Sequence, residues 1–315
     1  MAEPGCDVRA LVLNYRGAEM TAQVVRDLLA MDDVRVSVVV IDNGSGPAEA
    51  AALADKLDAL DPGAHELTLV ASEDNVGFAA AMSDGVRAAA AAGYEHVLVC
   101  NNDLRLPAGS VRPLLDVLRN DRSVAAVGPT ILDAQGAVWA EGGEVGFTRN
   151  ALRLRRHGRP PTGADAGPEE VDFLTGAFLL LRVDAALACG VFPDDYFMYW
   201  EDVALSYALR RAGHRVVWVP WVRVEHLGGQ SSGGGRSPLR KYLMACNAVR
   251  FLRAHGSFAA WLGWLTFDVL LWPLTLLGGP AAAWAKLRGT WSGVRGHRPS
   301  AQDVARYLGD PGATS

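Results

Sequence analysis

Apolar runs that end in polar residues recur in the first third of the chain. Their β-branched and leucine-rich composition predicts strands at Arg9–Asn14, Val34–Ile41, Glu66–Ala71 and His96–Cys100. Amphipathic or alanine-rich stretches between them predict helices over Thr21–Met31, up to about Leu60, and over Ala79–Ala92. Continuous apolar strands joined by helices are typical of a mostly parallel sheet that is covered on both faces. The pattern therefore predicts an α/β fold.

Polar side chains stand at the end of every one of these predicted strands. The clusters are Asn14-Tyr15, Asp42-Asn43, Asp74-Asn75 and Asn101-Asn102-Asp103. In open α/β sheets, ligands bind beyond the carboxyl ends of the strands. Because parallel strands bring those ends to one edge, we expect the four clusters to form a single ligand site.

The middle of the chain has weaker periodicity. The stretch Leu152–Glu170 is basic and then rich in proline and glycine, which predicts a mobile loop. Further on, a helix carries Leu205 and Leu209, and a last strand is predicted at Val216–Pro220 with Glu225-His226 just beyond it. Gly228–Gly235 has the composition of a flexible hinge.

The C-terminal part changes character. Lys241–His255 is predicted to be a basic amphipathic helix, and Phe258–Leu277 is almost wholly apolar. That length is close to the roughly 20 residues that cross a bilayer, but Asp268 would cost ~3 kcal/mol there and Pro273 would kink the helix. Two interpretations stay open. The segment lies at a membrane interface beside basic residues, or it is a helical subdomain that packs on the rest of the chain or forms a dimer interface; those basic residues are Arg250, Arg253, Lys286, Arg288 and Arg295.

Composition limits the classes of function. The 315 residues are 50% apolar and carry a net charge of −5, which argues against a nucleic-acid-binding protein. The four cysteines are widely spaced, so neither a disulfide framework nor a thiolate zinc site is expected. The N-terminus has no signal-peptide pattern, and the cytoplasm is the expected compartment. Neither a P-loop nor a GxGxxG motif is present.

Candidate chemistry lies in the polar clusters. Asp103, with Asn101 before it, can hold a divalent cation that bridges a diphosphate, and His226 can complete the shell of that cation. Asp202, beside Glu201, can act as a general base on a hydroxyl group. Each feature also has a structural interpretation: a strand-end turn at Asn101–Asp103, a structural histidine, and acidic residues that cap a helix.

The order of motifs resembles a known family. VLNYRG, VVVIDNGS, EDNVGFAAAMSDG, LVCNNDLRL, the long stretch from VDFLTGAF through YWEDVALSYALRRAG to VVWVP, and VEHLGGQSS together cover most of residues 9–232. They resemble the inverting family 2 glycosyltransferases with the GT-A fold, a Rossmann-like, mostly parallel sheet with flanking helices. The similarity is greatest to the rhamnosyltransferase-like branch that builds bacterial cell-surface polysaccharide. It implies a catalytic domain at 1–232, and the composition of the tail predicts a C-terminal helical, membrane-associating region at 233–315.

The resemblance also implies roles for matching positions. Asp202 would be the catalytic base with Glu201 as its neighbour, Asp103 and His226 would hold Mg²⁺ or Mn²⁺, and Thr175, Gly176 and Trp200 would line the acceptor side. The nucleotide-sugar donor would contact Asn14, Tyr15, Asp42, Asn43, Asn75, Gly77, Asn101, Asn102 and Asp103. Two positions depart from the pattern: Asn101 replaces the first acid of a DxD-type motif, and Ser83 stands where many relatives have asparagine.

The implied reaction is a single displacement with inversion of the anomeric carbon. The branch favours dTDP-rhamnose as donor, with UDP-sugars next, and a glycan or polyprenyl-diphosphate-linked glycan as acceptor at the inner face of the cell membrane. A homo-oligomer is compatible with this role. Two alternatives remain at this point: a soluble glycosyltransferase that decorates a small natural product, and a non-catalytic carbohydrate-binding or scaffold protein on the same fold.

Overall fold

A computed structural model of the chain describes residues 7–147, 151–163, 165–228 and 237–308. Its strands are β1 Val8–Asn14, β2 Val36–Asn43, β3 Glu66–Ser72, β4 His96–Asn101, β5 Leu104–Arg105, β6 Val124–Asp133, β7 Val138–Ala140, β8 Gly143–Val145, β9 Leu152–Leu154, β10 Glu169–Glu170, β11 Phe178–Arg182 and β12 Arg215–His226. Its α-helices are α1 Ala18–Leu29, α2 Pro47–Asp58, α3 Phe78–Ala91, α4 Arg112–Asn120, α5 Val183–Ala188, α6 Glu201–Arg211, α7 Pro238–His255, α8 Phe258–Trp264, α9 Pro280–Val294 and α10 Ala301–Leu308.

Within the described residues, a ten-stranded sheet forms the centre of the molecule. Eight of its strands follow the order β10-β12-β6-β11-β4-β1-β2-β3, while β5 pairs with β12 and β7 pairs with β6. Strands β4, β1, β2 and β3 run parallel to one another, and β12 runs parallel to β6. Strand β11 is antiparallel to both of its neighbours, β4 and β6. The prediction of a mixed α/β fold with a mostly parallel central sheet is confirmed.

Both faces of the central strands are covered, which explains why those strands are continuously apolar. Ala10 and Val12 of β1 pack into one core with α1, α2 and α4, whereas Leu11 between them packs into a second core with α3, α5 and α6. Successive strand residues point to opposite faces, so a strand with helices on both sides needs apolar residues at every position.

Two predicted boundaries were wrong. The last strand does not stop at Pro220 but continues to His226, because Val222 and Val224 are buried while the residues between them are exposed. A shift in the β6–β12 register between Val219 and Arg223 accommodates the proline as a bulge. The stretch Leu152–Glu170 is not one long loop, since it contributes β9 to a two-stranded sheet with β8 and β10 to the edge of the main sheet. Of the predicted hinge, residues 229–235 lie outside the described residues.

The C-terminal region is helical, as predicted, and the apolar stretch is broken into short pieces. After α8, the chain forms a π-helical segment, Leu265–Leu270, and a 3₁₀ segment, Trp272–Gly278, before α9 begins at Pro280. None of the helices in the described part of the chain is both long and apolar enough to cross a membrane.

Helix α9 packs closely on α7 through two glycines. A Cβ atom at Gly289 would collide with the carbonyl group of Tyr242, and one at Gly293 would lie 2.6 Å from the carbonyl oxygen of Cys246. Only glycine lets the two helix backbones approach so closely, and α7 is therefore held between α9 and the part of the chain that forms the sheet.

The close packing of α9 on α7 predicts that an alanine substitution lowers stability, although alanine normally favours a helix. Alanine is normally the better helix former by about 1 kcal/mol, yet we expect Gly289→Ala to lower the free energy of unfolding by about 1–3 kcal/mol because the added methyl group forces α9 off α7. Thermal unfolding of purified protein measures the change. Gly167→Ala, at a position with open space around it, is the control. An unchanged or raised melting temperature for Gly289→Ala would contradict the close packing.

Candidate active site

The parallel register brings the predicted polar clusters to one edge of the sheet. Asn14 pairs with Asp42 at the end of β1 and β2, and Asn101 of β4 pairs with Leu13. On the other side, Asn43 pairs with Ser72 of β3. The strand ends therefore lie next to one another, as the sequence predicted.

A buried polar network ties the loops after β1 and β2 together. The amide of Asn14 donates to Asp42 Oδ1 at 2.6 Å, and the hydroxyl of Ser45 donates to the same oxygen at 2.5 Å. Thr21 donates to Asn14 Oδ1 at 2.8 Å. Asn14 and Asp42 are 0% and 1% exposed. Their side chains therefore act within the protein and fix the loop that carries Tyr15.

The half-buried ring of Tyr15 lies on this edge beside the guanidinium group of Arg16, 5.1 Å from the ring centroid. The backbone N–H of Arg16 donates to Ser45 Oγ at 2.8 Å, which links this loop to the network. The network also reaches β4, because the amide of Asn102 donates to Thr21 Oγ1 at 3.0 Å. Contacts of Tyr15 and Asn102 with a nucleotide stay predictions.

A second set of hydrogen bonds connects the end of β2 to the loop between β3 and α3. Asn43 donates to Asn75 Oδ1 at 3.0 Å, and the same oxygen accepts the backbone N–H of Gly77 at 3.0 Å. Gly77 has φ +87°, and a Cβ atom there would meet the carbonyl oxygen of Phe197 at 2.5 Å. The N–H of Phe78 donates to that oxygen at 2.8 Å. Glycine is thus required where this loop touches the segment that precedes α6.

Asp103 and His226 meet although they are far apart in sequence. Strand β5 pairs with β12 so that Leu104 lies opposite His226, and Asp103 Oδ1 lies 3.3 Å from His226 Nε2. The ring of Trp139 stacks on the imidazole with centroids 4.6 Å apart. Asp103 Oδ1 is buried and accepts no hydrogen bond from any described residue.

This oxygen, which accepts no hydrogen bond and lies 3.3 Å from an imidazole nitrogen, fits a cation ligand set that is completed by phosphate oxygens, the usual arrangement for Mg²⁺. The described residues contain no group of three or more His, Cys, Asp or Glu side chains able to hold a metal ion without such help. The dependence of a cation on nucleotide phosphates stays a prediction.

Asp202 is connected to the end of β4 by two hydrogen bonds. Its Oδ2 accepts the N–H of Gly176 at 3.0 Å, and the carbonyl group of the next residue, Ala177, accepts the N–H of Asn101 at 2.8 Å. Burial raises the pKa of Asp202, while backbone N–H donors, among them Gly176 and Val203, oppose that rise. A half-buried carboxylate with a raised pKa accepts a proton more readily than an ordinary aspartate.

Glu201 lies in a more apolar environment than its neighbour. It is buried, and its Oε2 has no hydrogen-bond partner among the residues described. Burial, and next the negative charge of Asp202, raise the pKa of Glu201 well above its ordinary value. Glu201 therefore binds a proton more readily than an ordinary glutamate.

Trp200 does not lie on an open acceptor surface. Its indole ring is 1% exposed and packs between Phe147 and Phe251, with centroids 5.8 and 5.1 Å away. Tyr199 and Trp200 have φ values of +70° and +78°, and this left-handed turn directs the indole into the core. Thr175 is also mostly buried, and no described residue hydrogen-bonds its hydroxyl group.

One residue of this region has no counterpart in the sequence-based predictions. Asn247 of α7 is 0% exposed, and its amide donates to the carbonyl oxygens of Met198 at 3.0 Å and Tyr199 at 2.8 Å. Three residues further along α7, Arg250 forms an ion pair with Asp195 at 2.8 Å. Helix α7 thus holds the segment that leads into Glu201 and Asp202. An asparagine within an otherwise apolar stretch of helix was the available signal.

Comparison with known proteins identifies relatives of the whole sheet domain. Residues 4–242 match the family described as "Glycosyltransferase like family 2". An N-acetylglucosaminyl-diphospho-decaprenol L-rhamnosyltransferase of Mycobacterium tuberculosis is 32% identical over 151 residues, which cover 44% of this chain and 48% of that protein. A poly-beta-1,6-N-acetyl-D-glucosamine synthase of Staphylococcus aureus is 24% identical over 255 residues, or 76% of this chain and 58% of that protein. The chain spans about half the length of these curated relatives.

Solved structures with the same fold are glycosyltransferases of the GT-A type. GalNAc-T7 with UDP, GalNAc and Mn²⁺ has a TM-score of 0.59 at 14% identity, covering 98% of this chain and 56% of that one. A mannosyltransferase from Pyrobaculum calidifontis, in complex with GDP-Man and Mn²⁺, has a TM-score of 0.57 at 18% identity, covering 100% and 78%. At these identities, the similarity establishes the fold.

The position of Asn247 predicts how the segment before α6 responds to its loss. In Asn247→Leu, two buried carbonyl groups lose their donor, at about 1 kcal/mol for each hydrogen bond. We expect amide hydrogen exchange in residues 198–203 to accelerate by about tenfold or more, while the central strands keep their protection. Exchange followed by mass spectrometry measures this, with Met244→Leu on the same helix as the volume-conserving control. Equal exchange in both variants would rule out the proposed hold on residues 198–199.

The state of Glu201 predicts a pH-dependent stability. A carboxyl group with a higher pKa in the folded than in the unfolded chain binds protons more tightly when folded, so it costs stability as pH rises above the ordinary glutamate range. We expect the melting temperature of Glu201→Gln, relative to the original protein, to rise as the pH increases above the ordinary glutamate pKa of about 4. Glu73→Gln, at an exposed position, is the control. A difference that does not change with pH would show that the pKa of Glu201 is not raised in the folded protein.

Proposed function

The chain belongs to the glycosyltransferase-like family 2, and on this premise we propose that it transfers a sugar from a nucleoside-diphosphate donor to a hydroxyl group of a lipid-linked glycan. The observation that carries the proposal is the convergence of two separate acidic groups at one edge of the sheet. Asp103 lies there beside His226, and Asp202 is joined to the end of β4 through Gly176 and Ala177.

Asp202 is the proposed general base. Its carboxylate takes the proton of the acceptor hydroxyl group as that oxygen attacks the anomeric carbon of the donor sugar. The bond between the anomeric carbon and the diphosphate oxygen breaks, and its electron pair leaves with the nucleoside diphosphate. Attack opposite to the leaving group inverts the anomeric configuration. The raised pKa of Asp202, caused by burial, makes its carboxylate a stronger base than an ordinary aspartate.

Asp103 and His226 are the proposed protein ligands of a divalent cation, Mg²⁺ or Mn²⁺. When bound, such a cation supplies positive charge that stabilises the leaving diphosphate. Asp103 Oδ1, which accepts no hydrogen bond within the described chain, is oriented for this role by the β5–β12 pairing. Trp139, stacked on His226, fixes the plane of the imidazole. Because Asn101 stands in place of an acid, phosphate oxygens of the donor would fill the remaining coordination positions of the cation.

The proposed donor is dTDP-rhamnose, with UDP-sugars as the alternatives that the experiment below distinguishes. The similarity to a rhamnosyltransferase named for a diphospho-decaprenol acceptor supports both the sugar and a polyprenyl-diphosphate-linked acceptor. Such an acceptor would meet a nucleotide sugar at the cytoplasmic face of the cell membrane, which is the proposed place of action.

The proposal predicts that one variant, Asp103→Asn, loses donor binding, whereas another, Asp202→Asn, loses only turnover. With Mn²⁺ or Mg²⁺ and a panel of nucleotide sugars, we expect one nucleotide family to raise the melting temperature of the protein. Asp103→Asn should lose that metal-dependent shift. Asp202→Asn should keep it but release nucleoside diphosphate at least about 100-fold more slowly, because a general base contributes that much. Both the thermal shift and the release of nucleoside diphosphate are measured on the full chain. NMR of the product reports the anomeric configuration.

Asp84→Asn is the matched control, since this carboxylate lies on the surface and pairs with Arg87 at 3.0 Å. It should leave both donor binding and turnover unchanged. Folded protein that responds to no nucleotide sugar would overturn the transferase assignment and favour a carbohydrate-binding or scaffold role. Full turnover by Asp202→Asn would remove Asp202 as the base, and transfer only to a soluble small molecule would replace the lipid-linked acceptor.

A further inference from the structure

Exposed apolar side chains are concentrated in one part of the protein. Of the 18 large hydrophobic residues exposed in the described chain, 13 lie between Phe258 and Val294. Leu270, Leu274 and Leu277 are 66%, 61% and 88% exposed, and Trp284 and Trp291 are more than half exposed. We call the exposed residues of this range the C-terminal apolar surface. A concentration of this kind marks a contact with a protein or a membrane.

The surface is built on adjoining elements. Trp272 of the 3₁₀ segment donates its indole N–H to the carbonyl group of Ala283 at 3.0 Å, and its ring contacts that of Trp284. On α9, the exposed residues recur at helical spacing, so they form one stripe; these are Trp284, Leu287, Trp291 and Val294. Gly289 and Gly293 lie on the opposite side of α9, where the helix packs on α7. Helix α9 is therefore apolar on both sides, and only one side is covered.

The positive charge around the C-terminal apolar surface favours a negatively charged partner. Residues 237–308 contain nine Lys and Arg residues and two Asp residues, a net charge of +7 in a chain whose total is −5. Asp268, the one acid within the apolar stretch, is neutralised by an ion pair with Lys286 at 2.7 Å. Arg288 and Arg295 are exposed and follow the stripe of α9 at positions beside it. The guanidinium group of Arg295 lies 4.6 Å from the centre of the Trp291 ring.

Apolar side chains, tryptophans and flanking arginines on one surface are the combination that binds the boundary between headgroups and acyl chains of an anionic bilayer. A second copy of the chain is a poorer partner, because self-association through this surface would bring two strongly positive regions together. We propose that the C-terminal apolar surface docks on an anionic lipid bilayer, with α8, α9 and the segments between them lying in the interface.

The C-terminal apolar surface is connected to the candidate active site through α7. The stripe of α9 faces outward, its glycine side packs on α7, and Asn247 of α7 holds the backbone before Glu201 and Asp202. A docked protein would hold Asp202 at a fixed position relative to the bilayer. The docking itself rests on the surface alone, whereas its purpose, reaching a lipid-linked acceptor, rests on the proposed function.

The test is binding of the full chain to vesicles. Purified protein is sedimented with vesicles of phosphatidylcholine alone or with phosphatidylglycerol added, across a series of salt concentrations. We expect binding to the anionic vesicles that weakens with salt. The combined variant Leu270→Gln, Leu274→Gln, Leu277→Gln should bind at least about tenfold more weakly, and it should stay folded because all three side chains are exposed. Arg288→Gln with Arg295→Gln should lower binding to anionic vesicles and flatten the salt dependence.

A matched control removes apolar side chains elsewhere: Val70→Gln, Leu187→Gln and Trp221→Gln, which are 47%, 38% and 39% exposed. It should bind vesicles as the original chain does. Absence of vesicle binding, or equal binding by the leucine variant, would overturn the proposal. So would a dimer, seen by analytical ultracentrifugation, that the leucine variant abolishes while no vesicle binding occurs. Thermal shifts with nucleotide sugars are measured without lipid, so failure of docking and failure of the proposed reaction are separate results.

Discussion

The parallel register of β4, β1, β2 and β3 is the constraint on which the site depends. Apolar residues on both faces do little to specify this register, because a one-residue slip would exchange one apolar face for another. The polar strand ends specify it instead. If β1 slipped against β2, Asn14 and Asp42 would lose their 2.6 Å hydrogen bond, and each buried group left unpaired would cost about 1–3 kcal/mol. The side chains that define the edge of the sheet therefore also align it.

Helix α7 adds a part of the site that lies beyond the family match. The matched region ends at Tyr242, inside α7, whereas Asn247 and Arg250 follow it. Yet these two side chains hold Met198, Tyr199 and Asp195, the segment that leads to the proposed base. The C-terminal region is thus not an appendage to a finished catalytic domain, and a domain boundary at residue 232 would separate Asp202 from the groups that position it.

The sequence predicted the parts of the fold that depend on local patterns. Four strand ends and their polar clusters could be read directly, because each strand ends where apolar residues give way to turn formers. What could not be read depends on distant partners. Asp103 and His226 were expected to share a cation, but the β5–β12 pairing that brings them together was not expected, because the last strand was predicted to end at Pro220. Trp200 was expected on the acceptor side, but two successive positive φ values direct its ring into the core.

The positive φ values of Tyr199 and Trp200 are unfavourable, and contacts from the C-terminal region stabilise them. Left-handed φ values at non-glycine residues cost of order 1–3 kcal/mol each, and the adjacent Glu201 is a buried carboxyl group without a hydrogen bond to Oε2 from the described residues. Residues 199–202 would not adopt this arrangement alone. Asn247 satisfies the carbonyl groups of Met198 and Tyr199, and Phe251, also on α7, packs on Trp200. Because α7 is in turn fixed by the glycines of α9, the helix that offsets the strain at the proposed base packs directly on a helix that carries the proposed membrane surface.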